Sequence, residues 1–345
     1  MSTLSERESR GDQAELEATS TGSGTKHSEF APTNVVNGRD CADNAEPTAP
    51  TGHTPVLLQE MLHNLTPQPG SVYVDATFGG GGYTEAILEA ADTRVIAIDC
   101  DWEAQTRAKA LAKRYPSRIE FFLSKFSEIG TIMRGRRFDG IVFDFGLSSF
   151  QLDSAERGFS FRYDGPLDMR MGKTPLTASS VVNTYKENDI YQILKYYGEE
   201  RFAKKISRAI VQGRPIDSTL KLADIIRSVV PRTTAIDPCT KTFQALRIFV
   251  NDELKEIEVA LNKVVDLTGE SKIKQVCVVT VAFHSLEDRI IKNWVQRNST
   301  PGPRGVFIEE KIRKVVRPSK SEIERNPRSR SARLRAVLVK NGGLE

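Results

Sequence analysis

Short β-rich apolar runs alternate with amphipathic stretches through residues 56–144. Val56 to Leu62 has helical spacing and is broken by Pro67 and Pro69-Gly70. Residues 71–77 read as a strand, 78–82 as a glycine-rich loop, and Tyr83 to Ala91 as a helix. Arg94 to Asp99 reads as a second strand leading into a helix through Tyr115, with third and fourth strands at 119–123 and 138–144. This alternation predicts a parallel, doubly wound α/β sheet.

After the fourth strand the alternation stops. Residues 152–240 carry helical patterns, clearest at 190–194, 200–212 and 220–229, and no run that reads as a buried strand. A long helix is predicted from Lys241 to about Val265, then a strand at 275–283, a helix from Leu286 to Arg297, and two late strands at 312–317 and 332–340. The expected architecture is a sheet domain built from 51–151 and 241–345, interrupted by an all-helical domain at 152–240.

Composition adds a leader. Residues 1–50 carry 9 acidic and 4 basic side chains and few large apolar ones, whereas 51–345 carry 36 acidic and 45 basic. The leader reads as disordered, because it buries too little surface to offset ordering entropy. No apolar run approaches the ~18 residues of a membrane span, and no signal-peptide pattern is present. Cys41, Cys100, Cys239 and Cys277 are scattered, as are the four histidines, which argues against disulfides and a metal cluster. A cytoplasmic location with no metal is expected.

Chemistry concentrates at the predicted strand ends. Asp75-Ala76-Thr77-Phe78 and the glycines 79–82 join a strand to a helix. Glycines let backbone approach a ligand, and the helix start offers free N–H groups. Asp99, ending the next strand, is placed to accept from both ribose hydroxyls of an adenosine. Taken singly these are a flexible loop and a helix cap; in this order they point to an adenosine cofactor. The glycines are contiguous, Thr84 stands where a dinucleotide fingerprint needs its third glycine, and no Walker lysine follows. Acids before the loop and after the second strand suit S-adenosylmethionine. A third signal, Asp144-Phe145-Gly146-Leu147-Ser148-Ser149-Phe150-Gln151, closes the fourth strand, where an Asp-led turn can hold an exocyclic amine; the plain alternative is a serine-capped turn.

Further motifs stand in one order along the chain. They are His53-Thr54-Pro55-Val56-Leu57-Leu58, Arg157-Gly158-Phe159-Ser160-Phe161, Gly165-Pro166-Leu167-Asp168-Met169-Arg170-Met171, Tyr197-Gly198-Glu199-Glu200-Arg201-Phe202-Ala203, Thr242 to Ile248, Phe283-His284-Ser285-Leu286-Glu287-Asp288-Arg289 and Asn326-Pro327-Arg328-Ser329-Arg330-Ser331. With the loop and the turn they resemble the bacterial 16S ribosomal RNA cytosine-N4 methyltransferases, the MraW/RsmH type, over roughly residues 53–340. The resemblance implies a class I, Rossmann-like methyltransferase sheet with an inserted helical substrate-recognition domain. It implies S-adenosyl-L-methionine as donor and a cytidine in the decoding centre of 16S rRNA, in the 30S subunit, as acceptor. Family cofactor positions fall on Gly81, Gly82, Tyr83, Asp99, Phe126, Asp144 and Gln151. Two positions depart from the family pattern: Tyr83 stands where His is usual and Phe150 where Pro is usual. The oligomeric state, monomer or dimer, stays open.

Several features compete. Pro238-Cys239 looks like the nucleophile of cytosine-C5 methyltransferases but precedes a helix in the insertion. Ser285 reads as a helix N-cap, with Asp288 completing the turn, the alternative being a substrate contact by His284. Phe159, Phe161, Tyr163, Met169 and Met171 are either loop packing or a site for an unstacked base. Residues 301–345 hold 12 basic and 5 acidic side chains, including Arg325, Arg328, Arg330, Arg333 and Arg335, and suit a phosphate-binding surface. A DNA amino-methyltransferase and a non-catalytic ribosome-assembly protein are the alternative readings.

Overall fold

The computed structural model of the chain describes residues 55–231, 237–270 and 273–343; the acidic leader expected at 1–50 lies outside them. Helix α1 (Leu58–Leu65) is followed by β1 (Val72–Asp75), α2 (Gly82–Ala90), β2 (Arg94–Asp99), α3 (Trp102–Arg114), β3 (Ile119–Leu123), the short α4 (Ile129–Ile132) and β4 (Gly140–Asp144). Helices then run uninterrupted by strands: α5 (Ser149–Asp153), α6 (Ala178–Thr184), α7 (Glu187–Gly198), α8 (Ala203–Gln212), α9 (Thr219–Val229), α10 (Cys239–Asn251) and α11 (Glu253–Glu270). The remaining elements are β5 (Gln275–Ala282), α12 (Ser285–Arg297), β6 (Val306–Glu310), α13 (Lys320–Arg325) and β7 (Arg333–Asn341).

The strands form one seven-stranded sheet in the order β3-β2-β1-β4-β5-β7-β6. Strands β1 to β5 are parallel; β7 runs antiparallel to β5 and to β6. Alternate residues point to opposite faces, and helices cover both. Val74, Ile96, Ile98, Phe143, Val276 and Val278 pack with Ile257, Leu261 and Val264 of α11 and with Trp294 of α12. Tyr73, Val95, Val142, Val279 and Val281 pack with Met61 and Leu65 of α1 and Ile87 of α2. Burial on both faces is why the central strands read as apolar runs rather than as polar–apolar alternation.

The helical segment between β4 and β5 has a core of its own. Ile190, Ile193 and Leu194 of α7, Ile206 and Ile210 of α8 and Leu222 and Ile226 of α9 converge there. Helix α10, beyond the expected boundary at 240, adds Phe243, Leu246 and Val250 to the same cluster. The helix expected from Lys241 to about Val265 is two helices. Asp252 between them is left-handed (φ 54°, ψ 32°), and its N–H caps the carbonyls of Ile248 and Phe249.

A second difference concerns the late strands. Pairing falls at Val306–Glu310, where Val306 and Ile308 are buried two residues apart. At 312–317 the contact with β7 is reduced to an isolated bridge between Val316 and Leu334 and a bond from the Ile312 N–H to the Ala336 carbonyl at 3.3 Å. Ile312 and Val316 are half-buried, but Lys314, which would share their face in a strand, is exposed, so the segment lacks strand alternation.

Candidate active site

The C-terminal ends of β1, β2 and β4 bring Asp75, Asp99 and Asp144 to one edge of the sheet. Strand β1 lies between β2 and β4, so the order of strands reverses there, and crevices at such reversals hold ligands in doubly wound sheets. The glycine loop bends over this edge. Gly79 (φ 52°) and Gly81 (φ 83°) are left-handed, and a methyl group on Gly81 would lie 2.7 Å from the Phe78 ring. The Gly79 N–H donates to Asp99 Oδ2 at 2.7 Å, and the Asp101 N–H donates to Asp99 Oδ1 at 2.8 Å. Each oxygen keeps a lone pair for a ribose hydroxyl. Arg107 holds the loop from the other side: its Nε donates to the Gly79 carbonyl at 2.8 Å, and its guanidinium stacks 4.3 Å from the Phe150 ring centroid.

Carboxyl groups crowd this edge. Asp75 is buried and accepts from Thr84 Oγ1 at 2.7 Å and from the Thr77 N–H at 3.2 Å. Burial still pushes its carboxyl up to about 6, and Asp99 adds to the rise. Burial likewise raises Asp99, against the lowering by the Asp101 and Gly79 amides. Asp144 is raised well above an ordinary carboxyl, by burial and then by Asp75 and Glu287. Its N–H donates to Thr77 Oγ1 at 2.7 Å, while its Oδ1 is buried without a hydrogen-bond partner. Three crowded carboxylates, one of them with an unpaired acceptor, fit a ligand that brings positive charge and N–H or O–H donors.

The turn after β4 is locked by a capping box. Gln151 N–H donates to Ser148 Oγ at 3.3 Å, and the Ser148 N–H donates to Gln151 Oε1 at 3.1 Å. Gln151 Nε2 reaches Asp101 Oδ2 at 2.8 Å, where Arg157 Nη1 also donates at 2.9 Å. Arg157 Nη2 continues to the carbonyls of Arg170 (2.9 Å) and Met171 (3.3 Å). Asp101, 2% exposed, therefore ties the loop after β2 to the turn after β4 and to the 166–172 loop.

The expected site residues do not all serve in the same way. Asp99 and Asp144 lie at the strand edge, with Gly81 and Gly82 in the loop that Asp99 holds. Phe126 follows β3 at the same edge, edge-on to Phe143 at 6.1 Å. Tyr83 is buried, and its hydroxyl donates to the Val56 carbonyl, so only its backbone is left for a ligand. The Gln151 amide is engaged at both ends. Phe150, in the place of the usual proline, covers Gly80: a methyl there would lie 3.0 Å from its ring. Asp101 and Arg107 went unnoticed in the sequence, and Thr77 and Arg157 stood there only as motif residues without a role. Only Asp101 carried a local signal, as the N-cap of α3, accepting from the Glu103 N–H at 3.1 Å.

The competing features resolve by packing. Cys239 is buried against the Ala223 carbonyl, and burial with Asp237 nearby pushes its thiol up to about 12, far from a reactive thiolate. Phe159 and Met169 are core residues, and Phe161 packs edge-on to Phe243 at 5.1 Å. Arg328 and Arg335 are engaged with Asp153 and Asp288. The N-cap of α12 is His284, one residue before the expected Ser285, with Glu287 rather than Asp288 completing the box.

The sequence profile of the MraW methylase family matches residues 50–340. A protein of Ehrlichia canis (strain Jake) named ribosomal RNA small subunit methyltransferase H is 48% identical over 299 residues, covering 83% of this chain and 99% of that protein. One of the same name from Granulibacter bethesdensis is 47% identical over 306 residues, covering 83% and 90%. Among solved structures, an rRNA methylase from Streptococcus thermophilus aligns with a TM-score of 0.36 at 10% identity, over 82% of this chain and 93% of that one.

Two outcomes are expected. Asp75 titrates near 6 folded and at an ordinary 3.8 unfolded, so the native state holds a proton that the unfolded chain has released between them. Its contribution to stability therefore falls as pH rises through that window. In denaturant titrations the advantage of Asp75→Asn over wild type should grow by about 2 kcal/mol between pH 4 and pH 7; a pH-independent difference would refute this. Asp101→Ala strands Gln151 and Arg157 and should cost about 3–5 kcal/mol of unfolding free energy. A loss under about 1 kcal/mol, the scale of an exposed ion pair, would show that the junction holds little.

Proposed function

The chain belongs to the MraW methylase family, and on that premise we propose that it methylates N4 of a cytidine in the decoding centre of 16S rRNA, using S-adenosyl-L-methionine, within the small ribosomal subunit in the cytoplasm. The observation that carries this reading is the acidic edge: Asp99 gripping the glycine loop beside Asp75, with the unpaired Asp144 Oδ1 one strand away. The names of the close relatives support the ribosomal substrate. Among the described residues no helix is long and apolar enough to cross a membrane.

Asp99 and the amides of Gly81, Gly82 and Tyr83 would hold the nucleoside, with Phe126 beside the adenine. Gln151 acts through Asp101, keeping the Asp144 turn in register with the Asp99 loop. Bound S-adenosylmethionine supplies a methyl group already activated on a sulfonium, whose charge the carboxylates favour. Cytosine N4 is a poor nucleophile, because its lone pair is delocalised into the ring. The protein's task is orientation, which can lower a barrier by ~7–11 kcal/mol. Asp144 Oδ1 would accept a hydrogen bond from N4–H, turning the lone pair toward the methyl group, and would take the proton that N4 loses on methylation. The segment at 152–240, with α10, would recognise the substrate.

The rRNA would lie across the segment between β6 and β7. Arg313, Lys314, Arg317, Lys320, Arg325 and Arg330 are exposed there and make no ion pair with a described residue. Arg328 anchors this segment to Asp153 of α5, next to the Asp144 turn.

Incubation with assembled 30S particles and donor should place one N4-methyl mark on a decoding-centre cytidine, read by mass spectrometry, with naked duplex DNA unmodified. Asp144→Asn should slow that transfer roughly 100-fold; normal turnover with only weakened donor binding would remove Asp144 from the chemistry. Binding to 30S should weaken steeply with salt. Neutralising Arg313, Lys314 and Arg317 should flatten the log–log slope by roughly one for each phosphate left without its cation. An unchanged slope would move the rRNA to another face.

A further inference from the structure

His284 caps α12 in an unusual way. Its backbone is extended (φ −139°, ψ 169°), and Nδ1 accepts the Glu287 N–H at 3.3 Å. Glu287 Oε2 in turn accepts the N–H groups of Phe283 (2.7 Å) and His284 (3.2 Å). An imidazole nitrogen that accepts a hydrogen bond carries no proton, so the ring hydrogen sits on Nε2. Nε2 lies 3.1 Å from Glu287 Oε1 but out of line for a hydrogen bond, and both atoms are buried without a partner. A serine would cap the helix at least as well and leave no buried donor behind. The imidazole also stands beside the buried Glu287 carboxyl and, against burial, helps hold it below the usual range, but capping alone does not call for a histidine.

Its location does. Asp144 pairs with Val281 across β4 and β5, and the Phe145 N–H donates to the Val281 carbonyl at 2.9 Å. His284 leaves β5 three residues later, at the same sheet edge. Gly146, in the Asp144 turn, backs onto Phe283: a methyl there would lie 3.5 Å from its ring. An unpaired acceptor, Asp144 Oδ1, and an unpaired donor, His284 Nε2–H, thus stand at the ends of neighbouring strands.

We propose that His284 is a specificity-determining residue that donates through Nε2–H to the acceptor side of the cytosine pairing edge, while Asp144 Oδ1 accepts from N4–H. This assignment rests on the reading of the chain as a cytidine N4 methyltransferase. Cytosine presents a donor at N4 and acceptors at N3 and O2 beside it, the complement of this pair. Uracil presents an acceptor at the N4 position, which would meet Asp144 acceptor to acceptor and leave buried groups unpaired.

The test uses His284→Ser, which keeps a strong helix cap but removes the donor, and His284→Asn, which keeps a cap oxygen and restores an N–H. Single-turnover methyl transfer to 30S particles, donor binding by calorimetry and Tm are measured for each. The serine variant should lose roughly 10- to 100-fold in rate with donor affinity and Tm near wild type, and the asparagine variant should recover about tenfold of that. A serine variant within about threefold of wild type, or equal losses in both variants, overturns the assignment. A wild-type protein that binds donor but leaves 30S unmethylated overturns the functional reading itself, and this assignment with it.

Discussion

Asp101 is the constraint on which the site depends. A carboxylate that is 2% exposed pays several kcal/mol in lost hydration unless donors surround it. Here the donors are the Glu103 amide, the Gln151 side chain and the Arg157 guanidinium. Gln151 and Arg157 come from the segment after β4, and Arg157 also reaches the 166–172 loop, so satisfying one buried charge fixes three loops relative to one another. Gly172 shows how tightly they close: a methyl on it would lie 2.8 Å from the Cys100 carbonyl. Methyl transfer needs sub-ångström alignment of two ligands held on different strands. A junction of charge-assisted hydrogen bonds supplies that rigidity more directly than apolar packing, which is not directional.

Around this junction the sheet edge carries charge that opposes folding. Asp75, Asp99 and Asp144 are each pushed up by burial, and Asp75 feels Asp99 while Asp144 feels Asp75. A scaffold selected for stability alone would not gather them. A cationic ligand reverses the balance, since its charge offsets the repulsion and its binding free energy adds to the stability of the folded state. The same carboxylates thus select the ligand's charge and couple its binding to the order of the loops.

The sequence made the parallel half of the sheet plain, because β1 to β5 are short, β-branched and separated by helical periodicity. The glycine loop, Asp99 and Asp144 were legible for the same reason: they sit where those strands end. What stayed hidden is non-local or one residue off. Gln151 and Arg157 lie 50 and 56 residues from Asp101, and no local pattern joins them. The break at Asp252 was invisible because an aspartate in the left-handed region leaves the apolar spacing of α10 and α11 intact. The cap of α12 was misplaced because serine is the commoner capping residue, and only the fold shows the imidazole nitrogen taking its place. Arg328 and Arg335 looked like free phosphate ligands until their carboxylate partners came into view.

The helices between β4 and β5 owe their position to the same logic of satisfied polar groups. Met169 is buried with φ 60°, a conformation costly for a methionine, and Asn251 at the end of α10 holds the backbone that follows it. Its Nδ2 donates to the Met169 carbonyl at 2.7 Å and its Oδ1 accepts the Met171 N–H at 2.8 Å. The carbonyls of Arg170 and Met171 then receive Arg157, which ends on Asp101. At the other side, Glu199 after α7 accepts from Ser285 and Arg289 of α12, both at 2.7 Å. The inserted helices are therefore fastened next to the Asp99 loop at one point and next to His284 at another. A displacement of these helices would be felt at the Asp99 loop and beside His284, through hydrogen bonds rather than through the apolar core.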